Sequence, residues 1–581
     1  MRRYLIVTWL LLVVAVVGRG RSISVSELNY NPLGGGDYEF IELINSGTAS
    51  VALTGARFTN GIDYTFSTMV LQPGQRVVVC GQRSEFQERH GSVAQLVSGA
   101  FGGNLRDEGE EISLVSASGV LLFQFTYDST GAWPSRAAGL GSSMEVIDPN
   151  GDLSDPRNWR SSAEYHGSPG RAGLGPQRGV VINEVLAHTD PPLEDAIELY
   201  NNLDTPVDIS GWYISNSREK PEKFRIPPST IIAPRGYKVF YEYQFNAAED
   251  PNAFTLNSAH GDETTLVSAD VTGKPLIWMD ATSFEASENG YSFARYPNGT
   301  GPLVPASDLS FGTAVRGSFP KAFLSEFRKG LGENNAAPRV GPIVMSRIQY
   351  QPPLNRDEFV ELYNPTTSLV PLFDPAFPSN TWKFVDGVEY VFPQNLSLSA
   401  GARLIVCATI PAVFRARQSV PAETLVLGPW IGALNNAGER IALYRPDVPQ
   451  GPQHSDAGFV PYLLVEEVDY LDGAPWPVGD VRGFLIQRKT TGYGNDPLNW
   501  WVDSGGDVTV AIDVSRADNG LQLRFEVPAG YGARVESRRL AESGDWVAIQ
   551  NYPAQAGGRT QEWFYTIEGL QRVFRVALTP L

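Results

Sequence analysis

Asp37-Tyr38-Glu39-Phe40-Ile41-Glu42-Leu43-Ile44-Asn45 returns as Asp195-Ala196-Ile197-Glu198-Leu199-Tyr200-Asn201, and again as Asp357-Glu358-Phe359-Val360-Glu361-Leu362-Tyr363-Asn364. The shared glutamates, Glu42, Glu198 and Glu361, fall about 160 residues apart. Solenoid units recur every ~20–50 residues and need neighbours to bury their apolar faces. A unit of ~150 residues buries a core of its own. The chain therefore reads as a string of like domains rather than one large fold.

Working outward, each repeat keeps one order of elements. In the first, Ile23-Ser24-Val25-Ser26-Glu27-Leu28-Asn29-Tyr30 alternates as a strand, and Pro32 to Gly36 is rich in turn formers. The glutamate strand follows, then Val51-Ala52-Leu53-Thr54-Gly55, a Pro73-Gly74 turn, and the core strand Arg76-Val77-Val78-Val79-Cys80. Residues 84–90 read as one short helix, with Ser84 as its cap, Gln87 in the capping-box position and Gly91 to end it. A hairpin is expected around Ser118-Gly119. The second repeat matches with Val181-Ile182-Asn183-Glu184-Val185, Ile209-Ser210-Gly211-Trp212 and Pro234-Arg235-Gly236. The third has Arg347 where Glu27 and Glu184 stand, and Leu372-Phe373-Asp374-Pro375 where the Ser-Gly-Trp step stands. Leu105, Leu256 and Leu434 each precede a Gly-Asp/Glu pair, at 109–110, 261–262 and 438–439. Asp155-Pro156-Arg157-Asn158-Trp159 in the first repeat has a counterpart in Asp496-Pro497-Leu498-Asn499-Trp500 of the third.

This order of motifs resembles the lamin tail domain, and the second repeat carries the resemblance best. The resemblance implies immunoglobulin-like β-sandwiches. It extends over roughly four-fifths of the chain. The expected fold is all-β: three tandem lamin-tail-like sandwiches followed by a smaller C-terminal β-sandwich. The expected domains are 23–175, 176–320 and 342–506, with 321–341 as a linker holding a short helix around Phe323, Phe327 and Leu331. The last unit, 507–581, has six strand-like stretches at 508–514, 521–527, 534–537, 546–549, 563–567 and 572–578. Fifty-eight glycines, 42 prolines and 11% aromatic residues suit short strands joined by tight turns.

Residues 1–22 read as an export signal. Arg2-Arg3 is followed by the apolar run Tyr4 to Val17 and by the small-residue site Val16-Val17-Gly18. The run is short of the ~20 residues that span a bilayer. Arg19 and Arg21 leave a signal anchor open, and no membrane span is expected once the signal is cleaved. Secretion or display at the cell surface follows. With 46 basic against 64 acidic residues the net charge is −18, which repels phosphate backbones and argues against nucleic acid.

Chemistry-bearing residues are few. Cys80 and Cys407 occupy the same strand position in the first and third repeats, where Tyr241 stands in the second, and read as buried free thiols. His90, His166, His188, His260 and His454 show no ligand spacing and read as solvated loop or helix-end residues. Asp148, Asn150, Asp152 and Ser154 alternate oxygens as calcium loops do, but Gly151 and Trp159 depart from that pattern. Glu39 and Glu42 lie three apart and face opposite sides of a strand, so they form no catalytic pair. Glu42, Glu198 and Glu361 read as structural acceptors of backbone or arginine hydrogen bonds. Gly-x-Ser-x-Gly, Walker and dinucleotide signatures are missing from the sequence. Trp133-Pro134, Trp476-Pro477 and Trp500-Trp501 flank loops and read first as packing residues, with sugar stacking as the second reading. No catalytic, cofactor or metal residue is assigned. The expectation is a non-catalytic exported binding, adhesion or scaffold protein whose partner is a protein or glycan at the cell surface. The alternatives are a secreted hydrolase with an active site built at a domain interface, or a calcium-stiffened surface rod.

Overall fold

The computed structural model describes residues 21–502, apart from 94, 192, 311–326, 330, 354, 419, 478–483 and 490, together with six strands between 512 and 580. The expected export signal and most of the expected helix in 321–331 lie outside the described residues. Among the described residues, no helix is long and apolar enough to cross a membrane.

The fold is all-β and immunoglobulin-like. In the first repeat a six-stranded sheet runs Trp159–Ser161, Met144–Val146, Ser24–Asn29, Phe40–Ile44, Arg76–Cys80, Leu96–Ala100. It faces a three-stranded sheet of Arg57–Asn60, Glu111–Val115 and Leu121–Thr126, the last two forming the expected hairpin. Alternation of the strands sends Val25, Leu28, Ile41, Leu43, Val77 and Val79 into one core with Ile112, Leu114, Phe123 and Phe125. Full burial of each such side chain contributes about 1.5–3 kcal/mol.

The second repeat sets Tyr237–Tyr241, Ala196–Asn201, Val180–Leu186, Phe293–Arg295 and Leu303–Pro305 against a sheet built on Asp262–Ala269 and Pro275–Phe284. The third sets a six-stranded sheet around Val344–Gln351 and Phe359–Tyr363 against one around Gly438–Pro446 and Tyr462–Leu471. The six C-terminal strands form two three-stranded sheets, Ile512–Ala517, Gly520–Val527, Arg559–Thr566 and Val547–Tyr552, Tyr531–Arg539, Arg572–Pro580.

Two local expectations need correction. The first-repeat helix begins at Arg83, and Gln82 precedes it without a side-chain cap. Ser84 therefore lies inside the helix, where its hydroxyl bonds Glu85, while Gly91 does end it. The third repeat has a matching helix, Pro411–Arg417, and the second a single turn, Glu242–Phe245. Each helix buries one phenylalanine, Phe86, Phe245 or Phe414.

The third repeat also keeps the step that its sequence lacked. Trp212 N–H donates to Ile209 O, and Trp212 O accepts from Ile226 N–H. Trp382 repeats both bonds, with Leu372 O and Phe392 N–H. Ile209 and Leu372 are equally buried. The loop between Phe373 and Thr381 is an insertion into that step.

Neighbouring repeats are joined differently at their two junctions. Between the first and second, Glu164 pairs with Ile277 as an antiparallel bridge, and Trp278 N–H donates to Ala163 O at 2.7 Å. The Trp278 indole is buried and donates to Gly141 O. Between the second and third, side chains make the contacts: Arg440 pairs with Glu285 at 3.1 Å and Arg445 with Glu288 at 2.6 Å, while His260 meets Asp456 at 2.7 Å and stacks on Phe459. Phe327 packs back on Leu186, Ala196, Val239 and Tyr241 of the second repeat.

Candidate functional site: buried carboxylates at a recurring bulge

In every repeat the first strand carries one extra residue where it pairs with the glutamate strand. The register slips between Val25 and Glu27, between Ile182 and Glu184, and between Met345 and Arg347. At such a bulge two residues oppose one, and a side chain is re-aimed. The extra residue is Ser26, Asn183 or Ser346, and each bonds the glutamate it opposes. Ser26 Oγ donates to Glu42 Oε1 at 2.6 Å, Asn183 Nδ2 to Glu198 Oε1 at 2.8 Å, and Ser346 Oγ to Glu361 Oε1 at 2.7 Å. The next residue, Glu27, Glu184 or Arg347, stands directly across from the same glutamate.

The first repeat thus buries a facing carboxylate pair, Glu27 and Glu42, each 1% exposed. Glu145 flanks Glu27 on the opposite strand. The segment 167–175 lies over all three. Ser168 N–H donates to Glu27 at 2.7 Å and Gly170 N–H to Glu42 at 2.5 Å. A Cβ on Gly173 would fall 1.7 Å from Glu145 Oε1, so a larger residue there must push that carboxylate aside. Arg76 meets Glu42 at 3.0 Å and Arg160 meets Glu145 at 2.9 Å. Burial is the main force on these acids and pushes Glu42 up to about 7. Glu27 is raised too, by burial and then by the charge of Glu42.

The third repeat resolves the same position with cations. Arg403 meets Glu361 at 2.7 Å, and Arg347 replaces the second acid. In the second repeat Glu184 and Glu198 are fully buried. Ser292 and Ser310 hydroxyls and Ser310 N–H donate to Glu184. Burial raises Glu184 to about 7; Glu198 is raised by burial and then by Glu184.

A carboxyl whose pKa is higher in the folded state keeps its proton while the unfolded chain has lost it, so native stability falls as pH rises. For Glu184 that loss runs from its ordinary 4.5 to about 7. Glu184→Gln, melted in chelating buffer, therefore matches the parent near pH 4.5 and exceeds it increasingly up to pH 8. A parallel pair of curves would contradict this.

The other recurring polar residues are occupied inside their own repeats. Glu39 Oε2 accepts from Leu105 N–H at 2.8 Å, Glu358 Oε2 accepts from Leu434 N–H at 3.0 Å, and Asp195 accepts from Leu256 N–H. Gly109, Gly261 and Gly438 all have positive φ, and a Cβ on them would strike the carbonyls of Tyr127, Phe284 and Tyr470. Asn45, Asn201 and Asn364 are wholly buried, and each donates to carbonyls of the following loop and of the next turn.

The remaining candidates are distributed rather than gathered. Cys80 and Cys407 are buried free thiols, and burial pushes Cys407 up to about 11. His90 does end its helix, but it packs on Phe40 and Phe86 and is half-buried rather than freely solvated. Burial holds both His90 and His166 down near 3. The oxygens of the 148–155 loop cap its own backbone: Asp148 accepts from Asn150 N–H, Asp152 from Ser154 N–H, and Asp155 from Arg157 N–H. Asn158 ties that loop shut and Trp159 Nε1 donates to Leu153 O. Asp496, Asn499 and Trp500 repeat those roles in the third repeat.

Sequence reasoning considered Glu39 with Glu42 and missed Glu27 with Glu42. The signal available was the third-repeat Arg347, whose opposite charge marks a position that faces the recurring glutamate. The pair does converge across one gap, as paired-acid catalysis requires. It is nevertheless sealed under its own backbone, and it lines neither the 400 Å³ crevice between the first two repeats nor the 450 Å³ crevice at Gly211, Arg225 and Asp270.

Comparison with known proteins adds the following. The lamin tail domain family model matches residues 18–129 and 175–281, covering most of the first and second repeats. No curated protein matches the chain. Among solved structures the chain is similar to a DUF4876 family protein from Bacteroides thetaiotaomicron, at 10% identity and a TM-score of 0.18, over 56% of this chain and 92% of that one.

Proposed function

We propose that the chain is a non-catalytic, exported multidomain protein acting in binding, adhesion or scaffolding, with a protein or glycan at the cell surface as its partner. One observation carries this reading: the polar residues shared by the three repeats, Glu42, Glu198 and Glu361 with Asn45, Asn201 and Asn364, are occupied within their own repeats. What recurs is the device that builds each sandwich, and the loops are left free to differ. Tandem presentation turns weak single contacts into avid ones. The Trp278 and Arg440 junctions favour a fixed spacing between sites. The test is binding of the mature chain to an array of glycans, cell-wall polymers and proteins. Removal of one repeat is expected to weaken attachment several-fold; undiminished binding would count against tandem use.

A second reading, a secreted hydrolase with an interface-built site, is favoured by one feature. The crevice of about 400 Å³ between the first and second repeats gathers Arg136, Arg160, Trp159, Trp278 and Asp280. Polymer hydrolysis abolished by Asp280→Asn would support it.

A further inference from the structure

The three bulges solve one electrostatic problem in two ways. In the first and third repeats the residue that begins the neighbouring strand is an arginine, Arg76 or Arg403, and it meets Glu42 or Glu361. Register places Ile44 opposite Arg76, Tyr363 opposite Arg403, and Tyr200 opposite Tyr237. The second repeat therefore has Tyr237 where the others have the arginine. It also has two acids, Glu184 and Glu198, where the third repeat has one acid and Arg347.

Among the described residues, the strongest charges acting on this pair besides each other are acidic, Asp308 on Glu184 and Glu333 on Glu198. Glu198 Oε2 is buried without a hydrogen-bond partner and lies against Gly332. Three oxygens also converge on one carboxamide nitrogen beside it, although Asn335 Oδ1 accepts from the Ser310 hydroxyl and Asn298 Oδ1 from Asn335 N–H as well. Asn183 Nδ2 faces three oxygens, Glu198 Oε1 at 2.8 Å, Asn298 Oδ1 at 3.2 Å and Asn335 Oδ1 at 3.0 Å. A carboxamide has only two hydrogens to give. Two carboxylates with no basic partner among the described residues, an orphaned carboxylate oxygen and convergent carboxamide oxygens are what a hard cation requires. Among the described residues no three His, Cys, Asp or Glu side chains cluster as a metal site, and here carboxamides complete the donor set.

We propose that the Glu184–Glu198 node of the second repeat binds a single hard divalent cation of the calcium type, through both carboxylates and the Asn298 and Asn335 carboxamide oxygens. The cation takes the place that Arg76 and Arg403 fill in the sister repeats. This node is separate from the 148–155 loop and does not depend on what the chain binds.

The test is calorimetric titration of the full chain with calcium chloride at pH 7.5, after chelator treatment, alongside melting curves. One site per chain and a rise in melting temperature on the order of 5 °C at saturation are expected. Glu198→Gln weakens the affinity tenfold or more. Tyr237→Arg, which installs the sister repeats' arginine, also removes the site and stabilises the calcium-free chain. Glu42→Gln leaves the stoichiometry at one. If Glu198→Gln fails to fold by near-ultraviolet circular dichroism, Tyr237→Arg decides. No heat and no thermal shift in the parent chain would overturn the proposal, as would calcium binding that survives both second-repeat substitutions.

Discussion

Arg488→Met destabilises the third repeat by about 3–5 kcal/mol, the usual result of orphaning a buried charge. Arg488 sits on the interior strand Phe484–Arg488 of one sheet, and Glu466 sits on the edge strand Tyr462–Leu471 of the other. Their side chains are 2% and 3% exposed. Nη1 donates to Glu466 Oε2 at 2.7 Å and Nη2 to Oε1 at 3.1 Å, so the pair is bidentate and bridges the sandwich. Met345 O and Gly492 O accept from the same guanidinium. Removing the arginine leaves a buried carboxylate with no cation and only the Met345 N–H to compensate it. The double variant Glu466→Leu/Arg488→Met recovers most of the loss, because an apolar pair of similar volume needs no desolvation. Denaturant titration of the three chains is the measurement. A single variant within 1 kcal/mol of the parent would contradict the account.

Asn201→Ala is expected to cost the second repeat about 3 kcal/mol and to lower its melting temperature by roughly 10 °C. The side chain is wholly buried. Its Nδ2 has Thr205 O at 2.9 Å, Ile232 O at 3.2 Å and Ala233 O at 3.0 Å within hydrogen-bond reach, one of its two hydrogens being shared, while Oδ1 accepts from Leu203 N–H at 2.9 Å. Those four contacts fix two loops to the end of the glutamate strand. Alanine leaves the loop groups buried and unpaired, the costly way to lose a hydrogen bond. Asn201→Asp keeps the accepted bond and loses the donated ones, so it should fall close to alanine. Thermal melts of both variants decide this, and an aspartate variant as stable as the parent would show that donation to the carbonyls is not what matters.

These two sites show unequally well how far sequence can be read. Asn201 was visible, because Asn45, Asn201 and Asn364 end the repeated phrase that reveals the modules. The strand order and the buried thiols followed from local alternation, which sequence carries directly. The Arg488–Glu466 bridge was invisible, since nothing local marks two residues that meet across a sandwich. The bulge was hidden for a similar reason. Ser26, Asn183 and Ser346 look like ordinary strand residues, and only pairing with the next strand turns them toward the glutamate. Trp382 was hidden because an insertion moved it away from its expected spacing. His90 was placed at its helix end correctly, but its burial depends on Phe40, far along the chain.

The most direct measurement exposes the full chain and its Glu42→Gln variant, side by side, to the same array of glycans, cell-wall polymers and proteins, with polymer breakdown recorded in parallel. If the recurring glutamate builds the sandwich and does no chemistry, both chains bind the same class of target and neither degrades it. Turnover of any polymer by the parent that disappears in Glu42→Gln would contradict the account.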